Sequence, residues 1–334
     1  MNFIKFYIKN IFKRIVYSII YFIKLQKISN QKKSEKSVMI NFKKNNIEVD
    51  LSFYKKNYPD LSNMDDDGLL KHYFNHGYKE GRLASPLSLR GMFLGEIKSE
   101  KKTLEIGPFN NPLIKGEKVK YIDVLDKKNL IERAKNKNFE IDNIPEIDYV
   151  SPTGDLEIIE ENFDIVVSSH NIEHQPNLIK HLNNVSNILN DKGKYFLIIP
   201  NCKYCFDANL PVSKISDILN AKQNNLRTHS IGSIVEHYAL TTHNESKIHW
   251  DESLEDKKNN LEFINIDPLR IKQAIEKYEL SDGEYIDVHA WQFTPYSFAE
   301  IINTLINLNE INFKSVKVYG PLYGSIEFNA IISK

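Results

Sequence analysis

The residues best suited to chemistry sit where short apolar runs end. These stretches are Leu104-Glu105-Ile106-Gly107-Pro108, Tyr121-Ile122-Asp123, Gly154-Asp155 and Ser168-Ser169-His170-Asn171-Ile172-Glu173-His174. A carboxylate such as that of Asp123 has two oxygens and can accept from both hydroxyls of a diol. A glycine such as Gly107 lets backbone and ligand approach closely. Histidine is the natural base near neutral pH for removing a hydroxyl proton. Later in the chain, in the region that should cover an acceptor, come His229, His237, His243, His249 and His289.

The elements that position these residues alternate from Lys102 onward. The pattern predicts strands at Thr103–Ile106, Lys118–Ile122, Asp148–Val150, Phe163–Ser168 and Lys194–Ile199, with helices at Lys127–Lys137 and Pro176–Leu189. Such a βαβ rhythm implies a parallel sheet that binds ligands at the carboxyl ends of its strands. The first two strands stand too close in sequence for a full crossover helix, which needs roughly a dozen residues or more. An irregular stretch from Cys202 to about Asn265 follows, then helices near Pro268–Tyr278 and Pro295–Leu308, the latter with Thr294 as N-cap. Lys314–Tyr319 and Ser325–Ile332 read as a terminal antiparallel hairpin around a GPLYG turn.

In this order the stretches resemble the motifs of class I S-adenosylmethionine-dependent methyltransferases. Leu104 to Pro108 is similar to their motif I, and Phe163 to His174 to the "fDxVxxxxxxEH" pattern after the fourth strand. The chain departs from motif I after Gly107, where Pro-Phe-Asn-Asn-Pro replaces a glycine-rich loop. A bacterial branch associated with surface-polysaccharide biosynthesis has this form. It also resembles Tyr204-Cys205-Phe206-Asp207 and Val288-His289-Ala290-Trp291-Gln292-Phe293-Thr294-Pro295. The resemblance implies a Rossmann-like α/β sheet with S-adenosylmethionine as cofactor. Its binding set would be Glu105, Gly107, Pro108, Asp123, Asp155, Ser169 and His170: Glu105 for the methionine portion, Asp123 in preference to Asp126 for the ribose, Asp155 for the adenine amino group. His174 and His289 are the candidate catalytic residues.

Two further patterns carry less. His170 to His174 matches the H-x-x-E-H of zinc peptidases, but those ligands share one helix. Here the first histidine directly follows a strand and Pro176 begins the helix only afterwards. Cys202-Lys203-Tyr204-Cys205 is a C-x-x-C pair lacking the two further ligands of a structural zinc site. No clear metal signature therefore appears and no metal ligand is assigned, which leaves the use of a divalent metal open, and the two cysteines read as reduced thiols of a cytoplasmic protein.

The 334 residues carry equal numbers of basic and acidic side chains, so no global field draws the chain to nucleic acid. The balance is uneven, however: up to Lys44 the only acid is Glu35, against many lysines. Residues 1–28 read as a basic amphipathic helix suited to an anionic membrane surface, followed by a polar linker to residue 46. The longest uncharged run there, Ile15 to Ile23, is too short to span a bilayer and lacks a signal-peptide cleavage site. Residues 47–86 read as a small helical module. It resembles a "YPD…HY…HG…EGR" segment found beside glycosyltransferases and other surface-polysaccharide proteins. Residues 87–334 would then form the methyltransferase domain.

The expected activity is O-methylation of a sugar hydroxyl in surface glycan biosynthesis, peripheral to the inner face of the membrane. Alternatives are methylation of another small molecule, such as a lipid or quinone, and a non-catalytic membrane adapter for a glycosyltransferase partner.

Overall fold

The computed structural model describes residues 47–243 and 267–334. The amphipathic helix and linker expected within residues 1–46, and His249, lie outside the described residues.

Among the described residues, eight strands form one sheet: β1 (Ile47–Glu48), β2 (Thr103–Ile106), β3 (Val119–Asp123), β4 (Tyr149–Val150), β5 (Phe163–Ser169), β6 (Leu189–Pro200), β7 (Ser315–Tyr319) and β8 (Glu327–Ser333). Their order is β1-β7-β8-β6-β5-β2-β3-β4. Strand β8 runs antiparallel to both β6 and β7, and every other pair is parallel. This is the Rossmann-like, largely parallel sheet with a terminal antiparallel hairpin that the sequence pattern predicts. A plain dinucleotide-binding sheet would end on a parallel strand instead.

Central strands here are apolar on both faces, as parallel strands covered on two sides must be. On one face, Leu104, Val166, Leu197 and Ala330 pack with Leu178, Leu182 and Val185 of the helix Leu178–Ile188 and with Phe298 and Ile302 of the helix Pro295–Asn307. Asn177 caps the first helix by accepting from Lys180 N, and Thr294 caps the second by accepting from Ser297 N. On the other face, Ile165, Val167, Phe196, Ile198 and Ile331 meet Phe93 of the short helix Arg90–Leu94, with Leu113 and Ile114 at the margin. The connection from β2 to β3 contains no helix. The loop bearing Leu113 and Ile114 covers the sheet in its place.

The stretch expected to be irregular contains two helices, Ile215–Gln223 and Ile231–Val235. The first buries only Ile218 and Ala221, an apolar stripe too thin for hydrophobic periodicity to reveal. Residues 47–86 hold the helices Leu51–Asn57 and Asp66–His72 around a core of Tyr54, Leu61, Leu69, Tyr73, Phe74 and Ala84. Asp50 and Asp65 cap the two helices. Gly77 is required by contact: a Cβ there would collide with the Tyr54 hydroxyl, which hydrogen-bonds to His72 Nδ1 at 3.0 Å.

Candidate active site at the carboxyl ends of the strands

A cavity of about 430 Å³ opens where β2, β3, β4 and β5 end, a volume within the usual range for small-molecule sites. Each strand contributes to its wall. Ile106 and Gly107 come from β2 and the residue after it, Asp123 from β3, Thr153 and Gly154 from beyond β4, and His170 and Asn171 from beyond β5. Gly107 has φ +70°, a backbone region that side-chain-bearing residues avoid.

Asp123 is nearly buried, and its Oδ1 accepts from Val124 N at 2.7 Å. Burial raises its pKa, opposed by backbone donors from Leu125, Val124 and Phe109. Asp126, the other acid of that segment, is spent capping the helix Lys127–Asn136 through Asn129 N at 2.8 Å.

Other residues of the expected binding set stand elsewhere. Glu105 is buried and does not line the cavity. Its carboxylate accepts from Leu113 N at 2.8 Å and Ile114 N at 3.1 Å, which fixes the loop that replaces the crossover helix. Burial, outweighing those two donors, pushes its pKa up to about 7. Asp155 is likewise absent from the cavity wall. It accepts from Lys180 Nζ at 2.5 Å and Asn184 Nδ2 at 2.9 Å, tying the chain after β4 to the helix Leu178–Ile188. Pro108 and Ser169 also lie off the wall. Ser169 Oγ accepts from Arg90, whose guanidinium also donates to Glu327. His170, which does line the cavity, pairs with the same Glu327 carboxylate at 3.0 Å. Of the expected cofactor residues, then, Gly107, Asp123 and His170 meet at the cavity, while Glu105, Asp155, Pro108 and Ser169 support its walls.

The two candidate catalytic histidines are brought together. Their rings meet edge-on, with centroids 4.6 Å apart. His174 lines the cavity, whereas His289 lies behind it, 2% exposed. The segment carrying His289 is held in place by Ala290 N and Trp291 N, which both donate to the Glu173 carbonyl, and by Trp291 Nε1, which donates to Gln175 O. His289 Nδ1 stands 2.6 Å from Asp207 Oδ2, and His174 Nδ1 stands 3.1 Å from Asp287 Oδ1. Asp287 also binds Arg133 at 2.9 Å. Burial pushes the His174 pKa down, but Asp287, with Glu173 and Asp207 behind it, more than reverses this, to about 9. Burial works against ionisation of Asp287 too, but His174, Arg133 and Lys137 hold its carboxyl far below the usual range.

Sequence reasoning missed Asp287, Arg133 and Tyr285 on the cavity wall. Asp287 directly precedes the Val288-to-Pro295 segment singled out above, so adjacency was the one available signal. Nothing in the sequence marks Arg133, which lies on the helix Lys127–Asn136 and is not among its buried residues, Leu130 and Ala134. Cys202 and Cys205 are buried free thiols, and burial pushes Cys202 up to about 12.

No protein-family profile and no curated protein matches the chain. Solved structures do. One, named as a candidate O-methyltransferase from Nostoc punctiforme, is 10% identical over 73% of this chain and 55% of its own, with a TM-score of 0.34. Another, a candidate S-adenosylmethionine-dependent methyltransferase from Listeria monocytogenes, is 13% identical over 73% of this chain and 97% of its own, with a TM-score of 0.36. A third, from Clostridium acetobutylicum and named an S-adenosylmethionine-dependent methyltransferase, is 15% identical over 30% of this chain and 44% of its own, with a TM-score of 0.22. The chain thus spans about half the length of the first and third of these. Likeness at this level assigns no activity.

Proposed function

We propose that the chain is an S-adenosylmethionine-dependent O-methyltransferase acting on a sugar hydroxyl in surface glycan biosynthesis. The observation that carries the reading is the cavity at the strand ends, with a nearly buried carboxylate, Asp123, as the last residue of β3 and a positive-φ glycine, Gly107, directly after β2. Asp123 would hold the ribose diol, and Gly107 and Gly154 would let the cofactor lie against the backbone. The acceptor would enter on the side of His174, where Asn171, Gln175 and Tyr285 complete the wall. In the reaction the sulfonium S–CH₃ bond breaks with its electron pair left on sulfur. The acceptor oxygen forms the new bond to the methyl group and gives up its proton to the imidazole of His174, which takes it in the neutral form.

The protein's part is alignment and activation of the hydroxyl by the His174–His289 pair. The sugar acceptor is supported by resemblance, in residues 47–86 and in the segments around Asp207 and His289. The same reading takes residues 1–46 as a membrane-surface helix and linker, residues 47–86 as a separate module and residues 87–334 as the catalytic domain, on the cytoplasmic face with a glycosyltransferase partner. Among the described residues no helix is long and apolar enough to cross a membrane.

One observation favours a second reading, the non-catalytic adapter. Glu105 and Asp155, two acids expected on the cofactor, are engaged within the chain itself. Labelled-methyl transfer to extracted glycan, combined with calorimetry of cofactor binding, separates the two. Transfer that falls about 10²–10⁴-fold in His174→Ala or His289→Ala supports the enzyme and the role of the pair. Wild-type chain that fails to bind S-adenosylmethionine leaves the adapter.

A further inference from the structure

Glu173 is 1% exposed, and neither of its carboxylate oxygens accepts a hydrogen bond. A carboxylate buried in that way is costly unless a counter-charge is supplied to it, and an unsatisfied buried group of this kind calls for an unseen water or ion. The groups facing it are two imidazoles. His174 Nε2 lies 3.7 Å and His289 Nε2 3.9 Å from Glu173 Oε1, and one ligand atom from each of the three residues falls within 4.8 Å of the others. On each ring the opposite nitrogen faces a carboxylate, Asp287 for His174 and Asp207 for His289. Metal-ligating histidines are characteristically held this way, with the outer carboxylate fixing the tautomer and turning the inner nitrogen's lone pair toward the ion.

We propose that Glu173, His174 and His289 bind a divalent first-row transition-metal ion just behind the part of the cavity wall that His174 forms. Donors in such a centre lie about 2.0–2.2 Å from the ion, hence roughly 3.3–3.6 Å from one another. The two imidazole–carboxylate separations require contraction by only a few tenths of an ångström, and the widest separation in the cluster, up to 4.8 Å, requires a movement of up to about 1.5 Å, within reach of a side-chain adjustment. Two nitrogens and one oxygen suit zinc, manganese or iron, whereas magnesium and calcium favour all-oxygen shells. Three protein ligands leave a position for water or an acceptor oxygen, as in catalytic zinc sites. An ion there would lower the pKa of a bound hydroxyl, a role that rests on the methyl-transfer reading. The binding of the ion does not. The H-x-x-E-H spacing is misleading in this respect: its first histidine, His170, turns to Glu327, and the third ligand comes from more than a hundred residues downstream.

The test is titration of the untagged full chain, stripped with a chelator, with Zn²⁺, Co²⁺ and Mg²⁺ in the absence of S-adenosylmethionine. Calorimetry gives the stoichiometry and the visible d–d band of Co²⁺ the coordination. The expected result is one equivalent of Zn²⁺ or Co²⁺ per chain, no Mg²⁺ binding, and loss of the Co²⁺ band in Glu173→Gln and His289→Gln. Asp207→Asn, which changes only the outer partner, should weaken binding about 10–100-fold. Absence of stoichiometric binding by wild type overturns the proposal and leaves a proton-neutralised cluster. Unchanged affinity in Asp207→Asn also overturns it, and that measurement decides the matter if the ligand variants do not fold. Metal binding without cofactor binding keeps the site and refutes the methyltransferase reading, and the converse result does the reverse.

Discussion

Glu105 and Leu113 are joined across the loop that stands in for a crossover helix, with both carboxylate oxygens within 3.0 Å of Leu113 N. Folding thus takes a carboxyl group out of water and raises its pKa from 4.5 to about 7. A raised folded-state pKa contributes stability that is present in full below the unfolded value and is lost as pH rises through the folded one. Denaturant unfolding of wild type and Glu105→Gln between pH 4 and 8 should therefore show the wild type losing stability relative to the variant from about pH 4.5 to about pH 7. The loss should be on the order of 3 kcal/mol. A pH-independent difference between the two would refute this account of the loop.

Asp123 is expected to carry cofactor affinity and Asp126 helix stability. Each bond to a charged carboxylate is worth about 1.5–3 kcal/mol, so Asp123→Ala should weaken S-adenosylmethionine binding at least roughly tenfold in calorimetry. Asp126→Ala should leave affinity unchanged and cost about 1 kcal/mol of stability through the lost cap. Equal affinity in Asp123→Ala and wild type would remove Asp123 from the ribose.

Gly77 and Gly91 both lie in helical turns but should respond oppositely to alanine. At Gly77 the new methyl collides with the Tyr54 hydroxyl, while at Gly91 it meets nothing within 4 Å. Gly77→Ala should destabilise by about 1–3 kcal/mol, and Gly91→Ala should be neutral or stabilising by up to about 1 kcal/mol. Thermal unfolding of the two variants checks this.

Residues 1–28 are expected to bring the chain to anionic vesicles, each lysine near the surface adding about 1 kcal/mol. Flotation with and without those residues, at low and high salt, tests it. Full-length protein that stays with the soluble fraction at low salt removes the membrane from the reading.

How much of this was legible in the sequence depended on the range over which the information acts. Strand ends are local, so apolar runs and turn residues could place Gly107, Asp123 and His170 at the carboxyl edge of the sheet, while their grouping as a cofactor set came from resemblance. The roles of Glu105 and Asp155 were not legible, because an acid at a strand end looks the same whether it faces a ligand or the chain's own amides and lysines. Glu105 meets Leu113 N and Asp155 meets Lys180, partners that only the folded chain defines. The pairing of His174 with His289 was hinted at by resemblance. Its geometry, and the position of Glu173 between them, depend on Ala290 N and Trp291 N reaching back to the Glu173 carbonyl, a contact that no spacing rule contains.

Strand β1 is two residues long, yet Ile47 and Glu48 lie in register with Val318 and Tyr319 along the outer side of β7. Gly320 N continues the contact by donating to Glu48 O, and Lys317 forms an ion pair with Glu48 at 3.3 Å. An uncovered β7 would present a row of unpaired amides and carbonyls, the template on which a second polypeptide adds itself and from which insoluble assemblies grow. The first two described residues occupy that template with their own backbone. A chain shortened to begin at Leu87 would keep every residue of the cavity and lose this cover, trading a guarded margin for an adhesive one.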